Sequence, residues 1–434
     1  MTTTKPPTFQ GFSFTREDVP PAPGILGDYR ARAWTAFENL PYPTVKDEPW
    51  RRTSLRGLEA AFTLPREGAC RKLPPLPKHL LTPLVSDQHG GQITLLPGGV
   101  NIEPGDEITR KGVVFTDFVT AAREHPEKLA RALGQIVKPE EGKFAALTAA
   151  LGRNGVFVYV PRGVQVEQPL HSVVWAAGAG MAHFSHLILY LEEGAALTCV
   201  HETASPDEDG QSLHGGIVEI HVSAGANLRF VELQSLGRGV WNFTHERARV
   251  ERDASLDWIF GAVGSRLTKN FSDLDLTGAG ASGRMSGFYF ADGEQHLDHD
   301  TQQNHLAAHT ASDLLFKGAL KGRSRSVWQG MIYVAPDAQG TDGYQANRNL
   351  ILSEHARADS IPGLEILADD VRCTHGATVG KIDPELIFYL QSRGIPRAEA
   401  ERLAVEGFFA PVMQRIPFDG VQARFEQAIR KKMG

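Results

Sequence analysis

Cysteine, long apolar runs and surplus positive charge are all scarce in this sequence. The three cysteines, Cys70, Cys199 and Cys373, are odd in number and widely spaced. Such a set forms neither a disulfide framework nor a paired CxxC zinc motif, which excludes a small secreted disulfide scaffold. We therefore expect reduced thiols and a cytoplasmic protein.

The sequence also lacks the signals of membrane and nucleic-acid proteins. The longest apolar candidate, residues 173–182, contains two glycines and falls short of the roughly 18–20 residues that cross a membrane. The N-terminus, Met1-Thr-Thr-Thr-Lys-Pro-Pro, has no apolar core of a signal peptide. Because 45 basic residues face 51 acidic ones, the net charge of −6 opposes general binding to phosphate backbones. We expect no membrane and no nucleic-acid partner.

What is present falls into three zones. Residues 1–150 are predicted to be a mostly helical N-terminal region, with a proline-rich arm over residues 1–27 that packs little. A helix should follow from Asp28 to Leu40. Residues 151–382 are predicted to be a β core, because short runs rich in β-branched and aromatic residues follow one another and several alternate apolar with polar positions. The predicted strands are Val156–Val160, Phe184–Leu191, Ile217–Val222, Leu228–Leu233, Leu256–Phe260, Met285–Phe290 and Val327–Val334.

Residues 383–434 form the third zone, a C-terminal helical region. Asp383 followed by proline is a helix start, and three short helices are predicted, separated near Gly394 and before Val421. The apolar residues of this zone have two interpretations. They cover the end of the β core as a small cap, or they form a surface for a partner protein.

A weak repeat runs through the β zone. Gly194-Ala-Ala-Leu recurs as Gly225-Ala-Asn-Leu and as Asp253-Ala-Ser-Leu, with a fainter echo at Gly280-Ala-Ser. Each copy is predicted to be a tight turn with a residue suited to positive φ, leading into a strand. A recurring turn–strand unit at a period of 20–50 residues is typical of solenoids. A β-helix is favoured, and a β-sandwich of hairpins is the alternative.

Histidines cluster at His296, His299, His305 and His309, among aspartates. Both residue types bind iron or zinc, but the segment has no helical pattern that would bring them to one face. We favour the interpretation that they are polar turn residues on a β scaffold. Paired glutamates such as Glu192-Glu193 could suggest a β-helix carbohydrate-active enzyme, an alternative weakened by the absence of a secretion signal.

Cys373 and His375 alternate within a polar segment. On a strand both side chains would project to one face, and a thiolate with an imidazole makes a plausible soft-metal or sulfur site. Two ligands cannot complete a tetrahedral site, so the pair suggests a site shared with a second chain. A buried cysteine beside a hydrogen-bonded histidine is the structural alternative.

The sequence around Cys373 and His375 resembles a known family. Three segments are similar to the SufB/SufD family of the SUF iron–sulfur cluster assembly system. They are Gly343-Tyr-Gln-Ala-Asn347 through Ser353-Glu-His-Ala-Arg357-Ala-Asp359, then Asp370-Val-Arg-Cys-Thr-His-Gly-Ala-Thr378, and Ile387-Phe-Tyr-Leu-Gln-Ser-Arg-Gly-Ile395. Further matches are Pro43-Thr44, Trp50 and Phe316-Lys-Gly318. The resemblance implies a mainly β fold, a right-handed parallel β-helix flanked by helical N- and C-terminal regions.

The resemblance also favours one branch of the family. SufB members carry a scaffold cysteine in the loop that corresponds to residues 354–359, where this chain has Ala356, and a glutamate where it has Gly376. Both positions therefore resemble the SufD branch. A SufB-like homodimeric scaffold remains the alternative.

The resemblance implies a non-enzymatic scaffold subunit of a SufBCD complex, which assembles clusters and hands them to apoproteins. It would pair with SufB through the β-helices, bind the SufC ATPase that hydrolyses ATP, and form a homodimer when isolated. Cys373 and His375 would lie at the SufB interface and hold iron or a cluster transiently, with no cofactor bound tightly in the isolated chain. For SufC docking the expected residues are Leu386, Leu390, Phe408 and Phe409.

Overall fold

The computed structural model describes residues 8–82, 84–85 and 88–434. The first seven residues of the predicted proline-rich arm, and Pro83, lie outside the described residues. The helices are α1 Gly24–Asn39, α2 Asp106–Arg110, α3 Phe118–Glu124, α4 Pro126–Ala130, α5 Lys143–Leu151, α6 Pro384–Ser392, α7 Arg397–Met413 and α8 Asp419–Met433. None of the helices in these ranges is long and apolar enough to cross a membrane.

The described residues form nineteen strands. They are β1 Gly91–Leu96, β2 Gly99–Pro104, β3 Val114–Asp117, β4 Val156–Val160, β5 Leu170–Trp175, β6 Ala182–Leu191, β7 Ala196–Ala204, β8 Ser212–Val222, β9 Asn227–Ser235, β10 Val240–Val250, β11 Ser255–Ala262, β12 Leu267–Leu276, β13 Ser282–Ala291, β14 His296–His305, β15 Ala311–Leu320, β16 Arg325–Val334, β17 Thr341–Ile351, β18 Arg357–Ile366 and β19 Val371–Lys381.

From β4 onward the chain alternates between two parallel sheets. One sheet runs in the order β19-β17-β15-β13-β11-β9-β7-β5-β1-β2, and the other in the order β18-β16-β14-β12-β10-β8-β6-β4-β3. Strands next to each other in a sheet are therefore two apart in sequence, which is the connectivity of a solenoid. This confirms the parallel β-helix and excludes the β-sandwich. Among the strands of the described residues, only the pairs β1–β2 and β3–β4, at the N-terminal end, are antiparallel.

The repeated turns lie one above another, as the repeat predicts. Gly194, Gly225, Asp253 and Gly280 all have positive φ, between 55° and 73°. The N–H of Gly194 donates to Ala224 O, and the N–H groups of the other three donate in the same way to the residue just before the next turn residue. Each turn is thus hydrogen-bonded to the following one, and the positive φ is required once in every turn of the solenoid.

The strands after these turns carry the core. The repeat leucines Leu197, Leu228 and Leu256 are in direct register on β7, β9 and β11 and are buried. They belong to a continuous apolar cluster between the two sheets. Because each turn alone buries only one side of its apolar row, stacking of successive turns supplies the stability.

The N-terminal region differs from the prediction in three respects. It contains β1–β3 as well as helices, and α1 begins at Gly24 rather than after Asp28. The described part of the arm packs rather than projecting, because Phe9, Phe12 and Phe14 join the apolar cluster beneath α1 and α5. That cluster rests on the outer face of the sheet that contains β8 and β10.

The C-terminal helices also lie on an outer face. α7 packs on β13 and β15, and the ring of Phe425 in α8 lies 4.0 Å from that of Phe288 in β13. Of the two interpretations of this zone, the one in which the helices cap the end of the β core is therefore wrong. The face of the odd-numbered sheet is apolar on its outer side, as at Val231, Ile259 and Phe290, so the helices cover it and the C-terminal end of the solenoid stays open.

Candidate functional site

The last turn of the solenoid consists of β18 and β19, which end their respective sheets. In contrast to the buried strands before them, both strands are mostly half-buried or exposed. Apolar side chains are among the exposed ones, including Leu364, Ile366, Leu367 and Val379. We call this the open end of the solenoid. Unpaired edge strands with apolar residues are templates for pairing with another chain.

Cys373 and His375 both lie on β19 at this open end. Cys373 is in register with Gly343 and His375 with Gln345 on β17. The amide of Gln345 donates to Gly330 O and Gly363 O of the opposite sheet, which shows that this side of β17 faces the interior. Cys373 and His375 therefore end two interior rows, Cys373 half-buried and His375 exposed.

The row that ends at Cys373 begins with the repeat leucines. After Leu256 it continues in register through Gly283, Ser312 and Gly343 to Cys373. A Cβ added at Gly343 would lie 3.2 Å from Cys373 Sγ and 3.4 Å from His305 Nε2. The thiol and the His305 imidazole thus flank the same glycine, a juxtaposition that the sequence does not indicate because the two residues are far apart in the chain.

His305 is held in one tautomer by its neighbours. The hydroxyl of Thr310 donates to Ala307 O, so it accepts from His305 Nδ1 at 2.8 Å. His305 Nε2 consequently accepts from the Ser312 hydroxyl, also at 2.8 Å. Burial lowers the pKa of His305 to about 4, so the imidazole is neutral at physiological pH.

The other histidines of the sequence cluster, unlike His305, do not flank Gly343 beside the Cys373 thiol. His296 and His299 lie on β14 and point to opposite faces, because only one residue in two of a strand shares a face. His309 alone occupies a turn, with positive φ. The interpretation as turn residues is therefore wrong for His296, His299 and His305. Within residues 8–82, 84–85 and 88–434, no three His, Cys, Asp or Glu side chains converge to hold a metal ion.

One charged pair lies near the Cys373 thiol. Arg372 forms a salt bridge with Asp342 on the neighbouring strand. Burial raises the pKa of the Cys373 thiol, a hydrogen bond with the backbone of Gly343 partly opposes this, and the charge of Asp342 adds to it. The thiol is therefore protonated at neutral pH in the isolated chain.

The four residues expected to dock a partner differ in exposure. Leu386 is exposed, Leu390 and Phe408 are half-buried, and Phe409 is only 1% exposed. The expectation that Phe409 belongs to an exposed surface is wrong, because its ring packs 4.7 Å from Phe425 in the cluster that joins α7 and α8 to the solenoid.

Two further exposed residues extend the surface that Leu386 begins. Phe388 is 73% exposed and Tyr389 is 54% exposed. We call Leu386, Phe388 and Tyr389 the α6 patch. The sequence contains a signal for this patch, because α6 is apolar on all sides, and a helix that is apolar all round has to bury each of its faces against something. The structure buries Ile387 alone of the residues of α6.

The paired glutamates have structural partners. Glu192 pairs with Arg131 and Glu193 with Arg162, while Glu140 pairs with Arg32 and Glu141 with Arg247. Each of the four carboxylates thus faces an arginine across an element boundary. This arrangement is typical of surface ion pairs and gives no support to paired acid/base catalysis.

Comparisons with known proteins agree with the fold and the motifs. Residues 174–408 match the model described as "SUF system FeS cluster assembly, SufBD core domain", and residues 100–171 match "SufBD protein N-terminal region". The chain is 34% identical over 329 residues to iron–sulfur cluster assembly protein SufD of Bacillus subtilis (strain 168), covering 75% of each chain. It is 32% identical over 314 residues to SufB of the same organism, covering 72% of this chain and 68% of that one. Since the core model spans more than half of the sequence, the chain belongs to the SufB/SufD family of the SUF iron–sulfur cluster assembly system.

Proposed function

We propose that the chain is a SufD-type scaffold subunit that assembles iron–sulfur clusters with a SufB-type partner and a SufC-type ATPase, and hands them to apoproteins. The observation that carries the proposal is the open end of the solenoid, where Cys373 and His375 end two interior rows. The chain itself performs no ATP hydrolysis in this scheme, because that step belongs to the ATPase partner.

The open end supports pairing with a second β-helix. β18 and β19 present unpaired backbone edges, and Val379 is 49% exposed beside them. A partner strand would satisfy the backbone donors and acceptors and cover the apolar side chains at the same time. Both sheets would then continue from one subunit into the other.

The cluster is the cargo of this site, and its ligands would be shared. Iron–sulfur clusters are held mainly by thiolates, with imidazole as an alternative, so Cys373 and His375 supply at most two ligands. The partner has to contribute the others. Ligand binding requires the Cys373 thiolate. Because the pKa of this thiol is raised in the isolated chain, its proton has to be released as the metal binds.

Two positions favour the SufD type over the SufB type. Ala356 directly precedes β18, where a SufB-type chain would carry its scaffold cysteine, and Gly376 follows His375 in place of a glutamate. With neither the extra thiol nor the extra carboxylate, this chain fits the role of the subunit that completes a site mainly built by its partner.

The α6 patch supports docking of the ATPase. Leu386, Phe388 and Tyr389 are exposed on one short helix. Leu390 and Phe408 are half-buried and would form the rim of this contact, whereas Phe409 packs α7 against α8 and the solenoid.

Co-expression with a SufB-type paralogue tests the proposal. We expect Val379→Asp and Leu364→Asp to abolish co-purification while leaving the thermal transition of the isolated chain unchanged, since both side chains are exposed. Val100→Asp is the matched control, because Val100 is also exposed but lies on β2, at the opposite end of the sheet that ends in β19. Loss of the complex in the control alone, or its retention in both open-end variants, would contradict the assignment.

A further inference from the structure

A cavity of about 520 Å³ lies at the first turn of the solenoid, far from the open end. It exists because β4 pairs with β6 only from Leu187 onward, although β6 begins at Ala182. The first residues of β6 are instead bounded by the β1–β2 turn, by α3 and by the segment after α5. Cavities of ~300–1,000 Å³ are the size range of small-molecule sites.

The walls of the cavity are largely apolar. The side chains of Leu95, Val174, Trp175 and Phe184 line it. Val119 of α3 also lines it and is 52% exposed, which places an apolar side chain at the mouth. A pocket with apolar walls and few convergent polar groups is the usual form of a ligand site.

The floor presents a hydrogen-bond acceptor without a partner. His183 lines the cavity and is only 8% exposed. One of its ring nitrogens bonds to the backbone of Ala177, whereas Nε2 has no partner. A neutral imidazole has a single N–H, and since the Ala177 backbone takes it, Nε2 is a buried acceptor. Such a group costs free energy while it stays unpaired.

A second acceptor stands beside it. His214 Nδ1 donates to Asn242 Oδ1 at 2.7 Å, so His214 Nε2 accepts the hydroxyl hydrogen of Ser185 at 3.0 Å. The Ser185 oxygen, which also lines the cavity, is therefore left with its lone pairs. The floor thus offers two acceptors and no free donor.

Asp117 and Arg153, which also line the cavity, do not supply a hydrogen-bond donor at its floor. Asp117 Oδ1 accepts from Val119 N, Thr120 N and Asn154 Nδ2, and a carboxylate adds no donor to the cavity. Arg153 is exposed at the rim and forms no salt bridge in the described part of the chain. Its charge can interact with the outer end of a bound molecule but does not reach the buried floor.

We propose that this cavity binds a small, mainly apolar molecule that directs an N–H or O–H donor to His183 Nε2. The cavity volume, the apolar walls and the unpaired acceptor all favour this ligand class. Burial, together with the neighbouring His214, lowers the pKa of His183 to about 3, so the acceptor persists throughout the physiological pH range. The inference concerns the end of the solenoid opposite Cys373 and is independent of the cluster-assembly proposal.

Indole and benzofuran are the probes, because they share a shape and differ in one group: indole has an N–H donor where benzofuran has an oxygen. Saturation-transfer NMR and calorimetry on the full chain should show indole binding about tenfold more tightly than benzofuran. Equal affinity for the two probes, or no binding of either, overturns the proposal.

Three variants locate the binding. His183→Phe should remove the preference for indole, and Val119→Trp should block the mouth and abolish binding. His221→Phe is the matched control, since His221 also has one nitrogen on a backbone group and an unpaired Nε2 but does not line the cavity; it should bind indole like the native chain. If His183→Phe does not fold, Val119→Trp decides, and unchanged indole binding in that variant refutes the proposal.

Discussion

Phe409 and Phe388 lie in neighbouring helices at the C-terminal end and should respond to substitution in opposite ways. Phe409 is 1% exposed and packs on Phe425, so Phe409→Ala leaves a cavity between α7, α8 and the solenoid. Such a change costs about 3–5 kcal/mol. Phe388 is 73% exposed, and Phe388→Ala should alter the free energy of unfolding by about 0.5 kcal/mol or less.

Urea unfolding separates the two effects. At an m-value of about 3 kcal/mol per M, the midpoint of Phe409→Ala should fall by about 1 M or somewhat more, and that of Phe388→Ala should not move. The six tryptophans all lie before α6, so fluorescence reports on the solenoid and the N-terminal region. Far-UV circular dichroism at the same urea concentrations also reports on the C-terminal helices.

Partner binding provides the second measurement. If the α6 patch docks the ATPase, Phe388→Ala should weaken its capture at full stability, whereas Phe409→Ala should weaken it only in proportion to unfolding. An unchanged midpoint for Phe409→Ala would refute the packing argument. Deletion of residues 384–434 is a poor substitute, because it would expose the apolar outer face formed by Val231, Ile259 and their neighbours.

Three further predictions concern the turns, the N-terminal attachment and the cluster site. Gly225→Ala should lower the free energy of unfolding by about 1–2 kcal/mol through its φ of 66° alone, because a Cβ there meets nothing within 4 Å. Gly376→Ala is the control, since that position is equally open but has an ordinary φ. Thermal melts should show no change in stability for this second variant. Burial would raise the pKa of Glu219, but hydrogen bonds from His186 and from backbone N–H groups of the N-terminal region lower it below its usual value. The stability that this provides is present above the usual pKa and is lost as the pH falls through the lowered one. Glu219→Gln should therefore flatten the pH dependence of the free energy of unfolding on the acid side of the usual glutamate pKa, and an unaltered slope would contradict this. His375→Ala should leave folding intact and reduce cluster yield in iron and sulfide assays of the co-expressed complex, with a smaller loss for Cys373→Ser; full yield from the histidine variant would make that residue structural.

Several structural features follow from local sequence because their physical cause is local. A turn that needs positive φ selects Gly or Asp, so the turns at Gly194, Gly225 and Asp253 are visible as a repeat. Alternation along a strand places Cys373 and His375 on one face whatever lies opposite them. Strands such as Val156–Val160 are recognisable because their apolar residues are contiguous.

Other features escape local analysis because long-range partners decide them. β14 is rich in polar residues, yet His299 is buried against the rings of Phe260 and Phe316. His305, on the same strand, is buried with hydrogen bonds to two hydroxyl groups. Nothing in the local pattern distinguishes Phe408 from Phe409, yet one is half-buried over Lys317 and the other is fully buried.

The solenoid, its repeated turns, the family and the alternation of Cys373 with His375 are all predictable from the amino-acid sequence, since each of these rests on short-range geometry or on motifs. Three features become visible in the folded chain alone: the C-terminal helices cover a sheet face, the end that carries Cys373 stays open, and His305 lies beside the thiol across Gly343. They escape the sequence because burial is a property of pairs of surfaces, and the second surface of each pair comes from a distant part of the chain.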